Sequence, residues 1–172
     1  QVPTALSDAE WVVIHSGVRR ELAASEYWIR VQECLSGLEA LQQAHEGVHH
    51  FRDIQMEWLC GPDTEHRRLR HVLSENQRVE AAVQQVIDGN PRALGQLLLD
   101  AHASLRDDYE VSCPELDALV ALAADDPDCW GGRMIGGGFG GCTLHVVRAG
   151  QSEAFIERVT RSYRERFDPE PT

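Results

Sequence analysis

The stretch "GGRMIGGGFGGCTLHVV", residues 131–147, places seven glycines in its first eleven positions and then turns β-branched. Residues without a side chain let a backbone turn left-handed and approach a neighbour closely. Gly136, Gly138 and Gly141 formally satisfy G-x-G-x-x-G, the fingerprint of a dinucleotide loop. That fingerprint needs a helix to begin at the third glycine, so that its N-terminus can hold a pyrophosphate. Here the third glycine leads into "CTLHVV", whose β-branched alternation signals a strand. The dinucleotide reading fails on that context, and no G-x-x-x-x-G-K-[ST] loop occurs either. A strand, a glycine loop and a second strand remain: a broad hairpin tip whose amides can approach something closely. Three consecutive glycines beside a Phe exceed what a tight turn requires.

The chain's 172 residues suffice for the core of one domain, so residues 1–172 are read as a single domain. Its 16 Lys+Arg against 28 Asp+Glu give a net charge of -12, spread along the sequence. So acidic a surface repels phosphate backbones and anionic lipid, which argues against nucleic acid and membrane as partners. No apolar run approaches the ~20 residues of a bilayer span, and no signal-peptide pattern opens the chain. The expectation is a cytoplasmic protein. Cys34, Cys60, Cys113, Cys129 and Cys142 are odd in number, with no CxxC, and read as reduced core or semi-core thiols. The opening "QVPTAL", without Met, reads as the start of a fragment.

Outward from the glycines, the pattern is helix framed by short strands. "WVVIHS", residues 11–16, is a compact run of strand formers. From Ser25 the spacing turns helical, with Trp28, Val31, Leu35 and Leu38 on one face. A longer helix between Thr64 and Asp88 carries the stripe Leu69, Val72, Leu73, Val79, Val83, Val86 and Ile87, stopped by Gly89. Asn76, within that stripe, reads as a core amide bonded to a nearby loop. Asn90 caps and Pro91 opens the next helix, whose apolar face is Leu94, Leu97, Leu98, Ala101 and Leu105. Ser112 and Glu115 have capping-box spacing before a short helix from about Cys113 to Ala124. Phe155, Val159 and Tyr163 mark a last helix. Interleaved strands and helices without a repeat predict an α+β fold, helices packed on a small sheet. "HEGVHH", residues 45–50, lacks fixed i, i+4 geometry and reads as a solvated linker, while Asp107-Asp108 and Asp125-Asp126 read as helix-end carboxylates; no metal site is predicted.

The motif "GGRMIGGGFGGCT" resembles the third motif of the GHMP small-molecule kinases, and within them that of the galactokinases. "HASLRDDYEVSCPELDALV", residues 102–120, is similar to a galactokinase segment that mevalonate and homoserine kinases lack. "SGVRRELAASEYWIRVQEC", residues 16–34, resembles the stretch in which a Tyr follows a Ser-Glu pair, and "LRHVLSEN" lies between them. The likeness runs from about Val12 to His145, most of the chain.

What the resemblance implies is specific. Galactokinases transfer the γ-phosphoryl of ATP to the C1 hydroxyl of D-galactose with Mg²⁺, at a site between two lobes. Their N-terminal lobe carries the Arg-x-Asn-Leu-Ile-Gly-Glu-His sugar motif, the Ser-rich nucleotide loop, and the catalytic Arg and Asp, none of which occurs here. By this likeness the chain is the C-terminal lobe alone, with a ferredoxin-like core, galactose and ATP as the intact protein's partners, and no turnover by itself. Phosphoryl transfer rests on positioning and electrostatics that the other lobe would supply. An alternative implied by the same family is the module of a non-catalytic galactose and ATP sensor. Carried over residue by residue, Tyr27 is the substrate-binding phenol. Gly136, Gly137, Gly138, Phe139, Gly140 and Gly141 form the loop beside sugar and phosphate. Ile135 stands where the family usually has Thr, His15 where Asp or Asn is general, Arg20 where His is common, and Ala101 where Ser is frequent. "FDPEPT" stops short of a final strand that the family would add at one sheet edge.

Overall fold

The computed structural model describes residues 6–19, 23–167 and 171–172. Arg20 lies outside them. The described elements run β1 (Ala9–His15), α1 (Ala23–Ala44), two short 3₁₀ turns, α2 (Thr64–Ile87), α3 (Pro91–Asp107), α4 (Pro114–Ala124), β2 (Cys129–Ile135), β3 (Cys142–Arg148) and α5 (Ser152–Arg164).

The three strands form one antiparallel sheet in the order β1-β3-β2. β2 and β3 are a hairpin closed by the pair Ile135 and Cys142, so the glycine run is its tip, as the strand signal after Gly141 predicts. β1 lies on the other side of β3, from Ala9 opposite Arg148 to His15 opposite Cys142. On the outer edge of β1, His15 and Thr172 exchange both backbone hydrogen bonds, the narrow pair of an antiparallel ladder. That edge thus receives one paired residue from the end of the chain.

Helices pack on both faces of the sheet, α4 and α5 on one and α3 on the β2–β3 part of the other, where Trp11 and Val13 of β1 stay exposed. Val12, Ile14 and Val147 pack with Leu119 and Ala123 of α4 and with Phe155, Val159 and Tyr163 of α5. Val146 points the other way, to Leu6 and to Leu94 of α3, with Trp130 and Leu98 at the margin. α3 lies very close to β2. A Cβ on Gly131 would overlap the carbonyl of Gly95, and one on Gly95 would overlap that of Trp130. The register of β2 slips between Cys129 and Gly131 at this point. A second core, away from the sheet, joins Leu41 of α1, Leu69 and Leu73 of α2, and Val48, Ile54 and Leu59 between those helices.

Helix ends follow the predicted chemistry. The Asn90 side chain accepts from Ala93 N–H at 3.1 Å, with Pro91 in the first turn, and Asp63 caps α2 by accepting from His66 N–H at 3.0 Å. Gly89, at φ 65°, ends α2. Asp107 closes α3 and Asp108 and Asp125 occupy C-cap positions, so these carboxylates do sit at helix ends. Asp126 is buried and bound by both arms of Arg158.

Three readings need correction. The buried face of α1 is Cys34, Gly37 and Leu41, whereas Trp28 is 64% and Leu35 40% exposed. The small Gly37 lets Leu69 of α2 come so close that an added Cβ would lie 2.9 Å from it, and this approach outweighs the apolar spacing. In α2 the outer part of the stripe is exposed, at Val79 and Ile87, and Asn76 is exposed as well. Polar Arg68 and His71 are buried there instead. The N-cap of α4 is Cys113, with no side-chain bond, because the Ser112 hydroxyl donates to Asp117 at 2.5 Å.

Candidate functional site

The loop 136–141 takes its shape from its backbone. Gly136, Gly138, Phe139, Gly140 and Gly141 all have φ between 58° and 124°. Non-glycine residues populate that region rarely, which accounts for the glycine content. Phe139 is the exception, and its ring anchors the loop by packing on the cluster of Leu105, Val111, Leu116 and Met134. Three backbone bonds seat it further. Phe139 N–H donates to Val111 O at 2.8 Å, Gly141 N–H to Val18 O at 3.2 Å, and Ser16 N–H to Gly141 O at 2.8 Å. Ser16 is itself fixed from below, its carbonyl accepting from the Tyr163 hydroxyl at 2.8 Å.

Tyr27 stands beside this loop. A Cβ placed on Gly137 would meet only the Tyr27 ring, at 4.0 Å, which is ordinary van der Waals contact. Tyr27 is 45% exposed and Gly136 is exposed, while Gly138, Gly140 and Gly141 are buried. The structure therefore brings the predicted phenol and the outer half of the glycine loop together as one surface, with the inner half serving as its mount. Backbone amides and one phenol are groups that can hydrogen-bond and orient hydroxyl or anionic oxygen.

Two polar networks behind this surface were not legible in the apolar spacing. In the first, buried Arg68 donates to Glu33 of α1 at 2.6 Å, to Glu110 at 2.6 Å and to Asp108 O at 2.5 Å. Burial opposes the Arg68 charge, but the hydrogen bonds of the two glutamates outweigh it and hold its pKa above the ordinary value. Bonds from Arg68, then from Arg67, keep the Glu110 carboxyl below its usual range. In the second, Met134 N–H donates to His102 Nδ1 at 3.2 Å, so Nδ1 accepts and the ring's proton is placed on Nε2. Nε2 lies 3.1 Å from Asp117, off the line of a full hydrogen bond. Burial would raise the Asp117 pKa, but the partners His102 and Ser112 bring it below normal. This network ties α3, β2 and the start of α4 together under Phe139.

His71 is also buried. Its Nδ1 lies 3.0 Å from the Ser104 hydroxyl, which in turn donates to Asp108 at 3.1 Å, and its ring stacks on Tyr109 at 4.5 Å. The Ser104 hydrogen is thereby committed to a carboxylate, which makes this a structural chain rather than a nucleophile with its base. Most of these residues fall within 102–117, so the "HASLRDDYEVSCPELD" segment is a bracket for the loop. The sequence signal was present as a motif but its purpose was not. Near residues 45–50, His45 stacks on Trp58 at 3.8 Å and Asp53 accepts from the amides of His49 and His50, an ordinary capped turn.

Comparison with known proteins bears on this geometry. Residues 79–165 match the family model described as GHMP kinases C terminal. The chain is 39% identical, over its whole length, to a galactokinase of Halalkalibacterium halodurans, of which it covers 45%. It is 42% identical over 92% of its length to a galactokinase of Bos taurus, covering 41% of that protein. Among solved structures it superposes on a galactose complex of Lactococcus lactis galactokinase with a TM-score of 0.91 and 32% identity, covering 99% of this chain and 45% of that one. A mevalonate kinase of L. major shares the fold, with a TM-score of 0.56 at 19% identity. The chain thus spans less than half the length of the relatives it matches. No helix among the described residues is long and apolar enough to cross a membrane.

Proposed function

Because this chain belongs to the GHMP kinase C-terminal family, we propose that it is the C-terminal lobe of a galactokinase, with residues 1–172 forming one domain and an N-terminal lobe completing the site. The observation that carries this reading is the juxtaposition of Tyr27 with Gly137, at 4.0 Å from ring to added Cβ, on a chain 39% identical throughout to a galactokinase. The whole enzyme moves the γ-phosphoryl of ATP to the C1 hydroxyl of D-galactose in the cytoplasm. In that reaction Tyr27 hydrogen-bonds a sugar hydroxyl, and the backbone of Gly136 to Gly141 shapes the wall beside sugar and phosphate.

The same reading divides the chemistry between lobes. In this reading, which follows the family likeness, Mg²⁺ and the nucleotide phosphates belong to the other lobe's residues. What this chain contributes is orientation: holding an acceptor hydroxyl in line is worth much of the barrier in a reaction that has little covalent work for the protein. Alone, it turns over no substrate.

The test is ATP-dependent galactose 1-phosphate formation by this chain alone and by this chain joined behind the N-terminal half of the Halalkalibacterium halodurans relative. Turnover by the joined protein only is expected. Turnover by the chain alone overturns the division of labour; the sensor reading is favoured if the sequence upstream of this chain lacks the serines of the nucleotide loop or the catalytic Asp. In the joined protein, Tyr27→Phe should weaken galactose by about 0.5 to 1.5 kcal/mol, the value of one hydrogen bond.

A further inference from the structure

The glycine loop is seated on a carbonyl that belongs to another part of the chain. Val111 O accepts from Phe139 N–H at 2.8 Å, and a Cβ on Gly138 would overlap that same oxygen and lie 2.8 Å from the Val111 side chain. Wherever Val111 goes, the loop must follow.

Val111 is held by its N–H, which donates to Leu105 O at 3.0 Å, by its buried side chain, and by the residue before it. Glu110 has φ 55°, and the described residues include one other non-glycine with positive φ, Phe139 at 58°, at the opposite end of the same contact. Such a conformation persists in a non-glycine residue only when the surroundings over-determine it. Three arginines do so here. Arg67 and Arg68 hold the carboxylate, and Arg30 donates to the Glu110 carbonyl from Nη2 at 3.2 Å and from Nε at 3.4 Å. Arg30 lies on α1, three residues after Tyr27 and therefore beside it on the helix surface. Arg68 reaches the same helix through Glu33 at 2.6 Å.

We propose that Glu110 is the positioning residue of this site: by joining α1 to the seat of the glycine loop, it sets the separation between Tyr27 and Gly137. The geometric claim stands on these bonds, and its consequence for sugar binding rests on the galactose reading above. Glu110 touches no substrate; it acts through Val111 and Arg30.

The experiment uses amide exchange and 3-fluorotyrosine NMR on the 172-residue chain. Glu110→Gly keeps the left-handed backbone at no steric cost while removing the carboxylate, and Glu110→Gln is a milder change of charge alone. Loss of the charged clamp should lower protection of the Phe139 amide about tenfold or more in Glu110→Gly and less in Glu110→Gln, and shift the Tyr27 fluorine signal. Protection of the Val159 amide in α5 should stay as it was. Arg30→Met should move the Tyr27 signal in the same direction. The proposal is overturned if Phe139 protection stays within twofold of the parent, or if Phe139 and Val159 lose protection by the same factor, which is the mark of general destabilisation. If Glu110→Gly does not fold, Glu110→Gln decides by the same two criteria. In the joined protein Glu110→Gln should raise the galactose KM and leave the ATP KM unchanged. Failure of galactose turnover with these exchange effects intact would sink the substrate and spare the geometry.

Discussion

Two buried imidazoles should make this chain lose stability in mildly acidic solution. Burial holds the His71 pKa at about 4, against smaller effects of Glu75, which raises it, Arg78 and Arg133, which lower it, and Asp108, which raises it. Burial, with His102 nearby, holds that of His145 at about 3. His145 sits between Gly132 and Phe155, its Nε2 2.7 Å from the Thr143 hydroxyl and its Nδ1 buried without a partner. Both folded values lie below the unfolded value of about 6.5, so the fold favours the neutral rings. Their stabilisation is complete above pH ~6.5 and is lost as the pH falls toward the folded values. At pH 5 each histidine in the unfolded chain has gained about 2 kcal/mol from protonation that the folded form cannot match, or about 4 kcal/mol for the pair. This figure barely depends on how far below 5 the folded values lie. Glu75 and Asp117, with lowered folded pKa values, stay ionised over this window and add their loss at lower pH. Against a typical domain stability of about 5–15 kcal/mol the effect is large. Urea unfolding at pH 7.5 and 5.0, followed by tryptophan fluorescence with the slope held common, measures it. His71→Gln should halve the fall. Equal stabilities at the two pH values, within 1 kcal/mol, would refute the reasoning.

Other outcomes follow from the same geometry. Gly138→Ala, at φ 86° and against the Val111 carbonyl, should cost at least 1–2 kcal/mol in urea midpoints and disorder the Phe139 amide, whereas Gly137→Ala, with only the Tyr27 ring at 4.0 Å, should fold within about 0.5 kcal/mol of the parent. Leu119→Ala, at a fully buried position between α4 and the sheet, should cost about 2–5 kcal/mol. Asp63→Ala removes the cap of α2 and should cost about 1 kcal/mol by thermal or urea melts. Tyr27→Phe, at a half-exposed ring, should leave stability unchanged within about 0.5 kcal/mol.

Local chemistry made much of the fold legible. Caps and stops at Asn90, Pro91 and Gly89 placed α3 and the end of α2, and the β-branched run after Gly141 separated a hairpin from a nucleotide loop. Periodicity failed where small residues or charges were buried. Gly37 and Cys34 carry little hydrophobic signal, yet they define the buried face of α1, because backbone closeness to Leu69 counts for more there than side-chain size. Arg68 and His71 lie outside the apolar stripe, and the partners that accompany their burial are 33 to 42 positions away in sequence. Of the candidate site, the loop and Tyr27 were legible by resemblance. Their surroundings at Glu110 and His102 were not, since Glu110 is bound from α1 and α2, and His102 joins α3 to β2 and α4, contacts that no local window contains.

The left-handed loop also has an entropic side. Glycine surrenders more conformational freedom on ordering than any other residue, and the contacts that order the five glycines of the tip include three backbone bonds and the Phe139 ring. Ordering the tip therefore costs more backbone entropy per residue than ordering the strands on either side of it. On warming, the tip should lose its order while the sheet beneath is still intact, so that protection of the Phe139 amide falls before that of the strands.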